Sequence, residues 1–206
     1  SIAENAGTSL TLTATLSGAT DQDVTVVLGT SGTATEGTDY TDGSGAVDDI
    51  TITAGSTTGT VSFTPTDDSV YEGNETATIA ISSVTGEASE SGTQSVTITI
   101  TDNESAPTVT LTTSATSIAE NAGSSLTLTA TLSGATNADV TVALSTSGTS
   151  TEGTDYTDGS GNIDDIVISA GSTTGTVNFT PTDDSVYERD ETATIDISGV
   201  SGKSGV

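Results

Sequence analysis

The chain is organised around the stretch Thr64-Pro65-Thr66-Asp67-Asp68-Ser69-Val70-Tyr71-Glu72-Gly73-Asn74-Glu75-Thr76. Alternating apolar residues precede and follow it, so it is predicted to connect two strands, and we call residues 66–75 the central loop. Four carboxylates without a Lys or Arg among them repel one another by roughly 1 kcal/mol per pair at 4 Å in water. Calcium, which takes six to eight oxygen ligands, would turn this repulsion into binding.

The same stretch returns 116 residues later, at 180–192, with two changes. Residues 1–90 align with residues 117–206 without a gap and with 20 differences. Such a repeat predicts two tandem domains, which we place at residues 1–105 and 106–206. We expect the chain to be an excerpt of a longer protein, in which the first domain misses its first strand and the second its last.

Alternating apolar residues predict the secondary structure of each repeat. Period-2 runs, with turn residues between them, predict strands near 9–17, 24–30, 50–53, 59–64, 76–83 and 95–101. A further strand begins at Val109, and no segment has helical periodicity. We therefore predict an all-β fold of two tandem immunoglobulin-like antiparallel β-sandwiches, each with about seven strands and almost no helix.

The composition limits both the core and the partners. Leu, Ile, Val and Phe make up just under one fifth of the residues, so the domains fold with little core to spare. The net charge of −27 makes nucleic acid and anionic membranes poor partners. The chain has no Cys and therefore no disulfides, so we expect a metal ion to provide the stabilising cross-link instead. No apolar run exceeds three residues, which rules out a membrane helix or signal peptide within this segment.

Acidic residues next to turn residues occur at four places: in residues 1–7, in Gly37-Thr38-Asp39-Tyr40, in the central loop and in Asp102-Asn103-Glu104. This combination resembles the Calx-beta family, known from the regulatory loops of sodium/calcium exchangers, integrin beta-4 and large bacterial surface adhesins. The resemblance covers both repeats. It implies a seven-strand sandwich with calcium ligands from those four places gathered at one end.

Carried over by position, the resemblance implies one set of metal ligands in each repeat. The first set is Glu4, Asp39, Asp67, Asp68, Glu72, Glu75, Asp102, Asn103 and Glu104, in which Asn103 replaces an acid common in the family. The second set is Glu120, Asp155, Asp183, Asp184, Glu188 and Glu191. The counterpart of residues 102–104 is missing from the second repeat of this chain, so we expect its site to be weaker.

Other interpretations of the acids remain open. They could be solubilising turn residues of an acidic protein, and we assign Asp42, Asp48, Asp49 and their counterparts in the second repeat to solvated caps rather than to ligands. The junction at 102–107 also resembles a cadherin linker, although the other acidic motifs of cadherins are absent. No stretch fits an EF-hand loop or a calcium β-roll.

The expected function is a non-enzymatic, calcium-binding spacer in the repetitive part of a large bacterial adhesin, located extracellularly, at the cell surface or secreted. Its expected partners are calcium ions and neighbouring repeats of the same chain, without nucleic acid or direct membrane insertion, and we expect a monomer. The alternatives are a calcium-dependent ligand-binding module and a calcium-sensor tandem like that of the exchangers. A glycosidase-like carboxylate pair is disfavoured because the chain has no Trp, no His and 3% aromatic residues.

Overall fold

The computed structural model describes residues 1–202, which form two compact units. The first unit contains Ser1–Asp68 and Asn74–Asn103. The second contains Ser69–Gly73 and the residues from Glu104 on, so that part of the central loop is grouped with the second repeat. None of the described helices is long or apolar enough to cross a membrane.

Residues 1–104 form nine strands and one short 3-10 helix at Glu4–Ala6. The strands are β1 (Ile2–Ala3), β2 (Leu10–Thr15), β3 (Val24–Gly32), β4 (Tyr40–Thr41), β5 (Ile50–Ile52), β6 (Thr58–Pro65), β7 (Val70–Tyr71), β8 (Glu75–Thr85) and β9 (Ser95–Thr101). The first unit contains a five-stranded sheet, β1-β9-β8-β3-β5, and a three-stranded sheet, β2-β6-β4. All pairs are antiparallel except β1 with β9.

The core of the first unit follows from the period-2 alternation, because each strand turns one row of apolar side chains inward. Phe63 is fully buried and stacks on Tyr40 with 4.7 Å between the ring centroids. A second cluster includes Val24 and Ile52. Gly32 ends β3 with φ 124°, and a Cβ there would meet the backbone oxygen of Thr76 at 2.0 Å, so only glycine allows this close approach to β8.

Up to residue 202, the second repeat forms eight strands and a 3-10 helix at Glu120–Ala122. The strands are β10 (Val109–Thr113), β11 (Leu126–Leu132), β12 (Ala135–Thr136), β13 (Val140–Gly148), β14 (Tyr156–Thr157), β15 (Ile166–Ile168), β16 (Thr174–Pro181) and β17 (Ala193–Ser201). They form sheets β10-β11-β16-β14 and β15-β13-β17, and β12 pairs in parallel with β7.

The two repeats differ in which core side chains are fully buried. Each has an edge strand that the other lacks among the described residues. Strand β9 pairs with β8 in the first unit, and Phe63 is fully buried, whereas its counterpart Phe179 is only partly buried. Strand β10 pairs with β11 in the second unit, and Leu128 is 5% exposed, whereas its counterpart Leu12 is only partly buried. Edge-strand coverage therefore decides how well each half of a core is shielded.

The predicted all-β class and the sandwiches are confirmed, and the six strands predicted in the first repeat are all present. Helix is confined to the two 3-10 turns within the described part of the chain. The prediction missed the two-residue strands, among them β1, β4 and β7, because two residues cannot display a period. The sheets are antiparallel as predicted, apart from two parallel pairs of two residues each, β1 with β9 and β7 with β12.

Candidate metal centre

The first acid of the candidate site is fixed by the turn that opens the chain. Glu4 begins the 3-10 helix Glu4–Ala6, and Gly7 caps this helix in the left-handed region with φ 62°. Its side chain is 6% exposed, and its Oε1 accepts a 3.1 Å hydrogen bond from the backbone N–H of Asp68. A carboxylate is expensive to bury unless hydrogen bonds or a cation compensate for the loss of water. Glu4 is therefore held against the central loop.

The second acid lies on the loop between β3 and β4. The Oδ2 atom of Asp39 accepts a 2.6 Å hydrogen bond from the backbone N–H of Thr35. Its own carbonyl accepts one of 2.9 Å from the backbone N–H of Thr66, the first residue of the central loop. The neighbouring Tyr40 is buried in the core. Its burial fixes the backbone at Asp39 beside the central loop.

The structure brings seven acids of the first repeat into groups in which one carboxylate oxygen from each residue lies within 4.8 Å of the others. Glu4 and Glu72 each belong to two of these groups. The groups are Glu4 with Asp68 and Glu72, Glu4 with Asp102 and Glu104, and Asp39 with Glu72 and Glu75. Two oxygens on opposite sides of a calcium ion are separated by about 4.6–5.2 Å, given calcium–oxygen bonds of about 2.3–2.6 Å. The donor set and its spacing therefore fit a hard divalent cation.

Among the described residues, the second repeat contains one such group: Asp155 with Glu188 and Glu191. Asp155 is held as Asp39 is, by a 2.6 Å hydrogen bond from the backbone N–H of Thr151. Glu120 accepts a 3.1 Å hydrogen bond from the backbone N–H of Asp184, but it is exposed, unlike Glu4. The second centre therefore has fewer converging acids among the described residues than the first.

The pKa of Glu188 is raised above its ordinary value, first by desolvation and then by the negative charges of Asp155, Asp184, Glu191 and Glu120. The side chain is exposed, and the negative charges of four neighbouring carboxylates add to the rise in its pKa. Carboxylates that repel one another in this way gain from sharing a cation.

Several of the predicted ligands lie outside these groups. Asp67, Glu120, Asp183 and Asp184 belong to none of them, although the backbone N–H of Asp184 donates a hydrogen bond to Glu120. Asp67 and Asp183 are exposed. Asn103 is exposed, and its neighbours Asp102 and Glu104 are partly buried. The four acids remain predicted ligands by position, and Asn103 remains one as the residue between two grouped acids.

The residues assigned to caps have structural partners. Asp42 accepts hydrogen bonds from the backbone N–H groups of Ser44 and Gly45 and from the Ser44 hydroxyl, and the Ser44 backbone bond is the main cause of the lowered pKa of Asp42. Asp49 accepts a 2.9 Å bond from the backbone N–H of Leu28, so it ties a loop to β3. Neither aspartate belongs to a candidate metal group in the described structure.

Sequence reasoning missed two supporting residues. Glu36 accepts hydrogen bonds from the Thr30 hydroxyl at 2.9 Å and the Val47 backbone N–H at 2.7 Å, which fastens the loop that carries Asp39. The retention of a glutamate at the same place in both repeats, Glu36 and Glu152, was the available signal. Asn74 accepts a 3.2 Å bond from the backbone N–H of Asp102; no signal marks it, because the second repeat has Asp there.

Residues 1–104 and residues 102–204 each match the Calx-beta domain. The chain belongs to the Calx-beta family. The resemblance seen in the sequence is thereby confirmed as two Calx-beta domains in tandem, which together account for nearly the whole chain.

Two solved structures are similar to this Calx-beta tandem. CBD12 from CALX1.2 is 22% identical, with a TM-score of 0.43 over 87% of this chain and 70% of its own. The calcium binding domain CBD12 of CALX1.1 is 21% identical, with a TM-score of 0.43 over 95% of this chain and 76% of its own. No curated protein matches the chain.

Proposed function

We propose that this Calx-beta tandem binds calcium at the acidic groups of each domain. The observation that carries the proposal is the convergence of carboxylate oxygens from residues far apart in sequence, such as Glu4, Asp68 and Glu72, within 4.8 Å. Carboxylates are hard ligands that suit calcium. Because the hydrophobic core is small, a bound ion can contribute a large share of the folding stability. Membership of the Calx-beta family supports the same metal.

The role we propose for the tandem is that of a spacer in a large repetitive protein that is secreted or anchored at the cell surface. Near-identical copies, the absence of Cys and the net charge of −27 support an extracellular array stiffened by metal rather than by disulfides. Only residues 105–108 separate Glu104 from β10, so an ion held by Asp102 and Glu104 would also restrain the linker. As a spacer, the tandem would bind calcium without catalysing a reaction.

A calcium-sensor pair is the second candidate, and the presence of two Calx-beta domains in tandem is the observation that favours it. The two candidates differ in the affinity that each requires. A sensor must respond to calcium at about 10⁻⁷–10⁻⁵ M, whereas an extracellular module works at about 10⁻⁴–10⁻³ M.

Calorimetric titration of the EDTA-stripped chain with calcium separates these candidates, and small-angle scattering reports on the spacer role. For a spacer we expect dissociation constants of about 10⁻⁴–10⁻³ M, and scattering should show reduced flexibility with calcium. Micromolar or tighter binding would support the sensor instead. An unchanged maximum dimension and flexibility would mean that calcium stabilises each domain without setting the linker geometry.

A further inference from the structure

One segment of the central loop takes part in a strand pair. Strand β7 pairs in parallel with β12, with Val70 opposite Ala135 and Tyr71 opposite Thr136. Thr136 is 1% exposed, and the backbone N–H of Asn137 lies 3.4 Å from the carbonyl oxygen of Tyr71. The pairing therefore covers an apolar piece of the loop as well as its backbone.

The counterpart of β7 in the second repeat has the same two side chains in a different environment. Val186 and Tyr187 form no strand in the described structure, and they are 62% and 92% exposed. They are more exposed than any other large hydrophobic residue in the described part of the chain. The backbone N–H of Val186 donates a 2.6 Å hydrogen bond to Oδ1 of Asp184, but no strand pairs with this segment in the described structure. Exposed aromatic and aliphatic side chains on a segment without a strand partner mark a place at which another strand can be added.

The counterpart of β12 in the first repeat, Ala19–Thr20, already has the local structure of the paired segment. The Thr20 carbonyl accepts a 2.8 Å bond from Gly55, just as the Thr136 carbonyl accepts one of 2.8 Å from Gly171. The Thr20 hydroxyl donates to the Gln22 carbonyl at 2.8 Å, and the Thr136 hydroxyl donates to the corresponding carbonyl at 2.7 Å. Ala19 is exposed and outside any strand, so this segment is preorganised for pairing.

The charges beside these segments are also matched. In the existing pair, the Asn137 side-chain amide donates a 3.1 Å hydrogen bond to Oε1 of Glu72. The first repeat has Asp21 at the position of Asn137. An ionised aspartate cannot donate a hydrogen bond to a glutamate. The second repeat has Arg189 in place of Gly73, directly after Glu188, and Arg189 is exposed. Asp21 and Arg189 can therefore replace the amide contact with an ion pair.

We propose that Val186–Tyr187 binds the Ala19–Thr20 segment of a second copy of this chain as a two-residue parallel strand pair, with Asp21 of that copy beside Arg189. Different surfaces of the two copies meet, so the association is head-to-tail and can continue from copy to copy. The proposal does not depend on calcium binding. A pair this short is weak, so we expect the association to be populated at roughly millimolar concentrations of the chain.

Disulfide trapping tests the proposal, because the chain contains no cysteine of its own. A Val186→Cys chain is mixed with an Ala19→Cys chain at about 1 mM under mild oxidation, and the yield of mixed dimer is measured. The control mixture combines the Ala19→Cys chain with a Val167→Cys chain. Val167 lies in the same repeat as Val186 and is 53% exposed. A single chain with Val70→Cys and Ala135→Cys shows the yield of the pair already present.

We expect the Val186→Cys mixture to give at least about fivefold more mixed dimer than the Val167→Cys mixture. Equal yields would overturn the proposal. The charge contact is tested in the same assay. Adding Arg189→Gly to the Val186→Cys chain should lower the yield, and adding Asp21→Asn to the partner chain should restore it, because the amide can then donate to Glu188. A yield unaffected by Arg189→Gly would overturn the assigned ion pair.

Discussion

The backbone N–H of Asp68 donates a hydrogen bond of 3.1 Å to Oε1 of Glu4, across 64 positions of sequence. Asp184 and Glu120 form the same bond at the same length in the second repeat. Glu4 is buried and Glu120 is exposed, so the bond is better shielded from water in the first repeat. In the first repeat it connects the start of the domain to the central loop and holds Glu4 where the other acids converge.

Substitution of Glu4 separates its hydrogen bond from its charge. Glu4→Gln retains an acceptor oxygen of similar shape, so we expect little loss of stability in EDTA and roughly tenfold weaker calcium binding at the first site, about 1.4 kcal/mol. Glu4→Ala also loses the bond, which should cost about 1–3 kcal/mol in EDTA. Thermal melts and calorimetry measure both effects. Unchanged calcium affinity in both variants would remove Glu4 from the site.

Glu72 should matter more than its neighbour Asp67. Glu72 belongs to two acidic groups and Asp67 to none. We expect Glu72→Gln to remove most of the calcium-induced rise in the melting temperature of the first domain, and the matched variant Asp67→Asn to remove little of it. Differential scanning calorimetry with and without calcium measures the rise. Equal losses in the two variants would show that total charge, rather than the groups, governs binding.

Glu188→Gln should stabilise the second domain when calcium is absent. Because the folded-state pKa of Glu188 is raised, the folded state holds the proton more tightly than the unfolded state does. The stability associated with this group is therefore fully present below the ordinary glutamate pKa and is lost as the pH rises through the raised folded pKa. In EDTA we expect the variant to melt above the unaltered protein at neutral pH, with the difference vanishing in acid. A variant that melts lower at neutral pH would contradict this account.

Extension of the second repeat should improve both its core and its site. Val206 aligns with Glu90, so appending a copy of residues 91–104 continues the repeat in register. The added strand should pair with β17 as β9 pairs with β8 and cover Phe179, and its acids should add ligands. We expect a higher melting temperature for the second domain and tighter calcium binding than in a control with the same residues scrambled. Identical melting of the two extended chains would contradict this explanation of the burial difference.

The sequence predicts those features that are periodic or repeated. Alternation at Leu10, Leu12 and Ala14 predicts a strand without reference to the rest of the chain, and acids at matching places in both repeats predict a site. Strand β7 could not be predicted, because its two residues pair with β12, 65 positions away, and carry no period. The role of Glu36 depends on donors at Thr30 and Val47, which sequence spacing does not bring together.

Calcium titration of the EDTA-stripped chain, followed by calorimetry and by melting temperature, tests the central claim most directly. We predict heats of binding with tighter sites in the first domain than in the second, and a higher melting temperature in calcium. Magnesium should have a smaller effect, because it releases its water reluctantly and requires tight octahedral coordination. The absence of calcium heats, together with identical melting in millimolar calcium and in EDTA, would contradict the account.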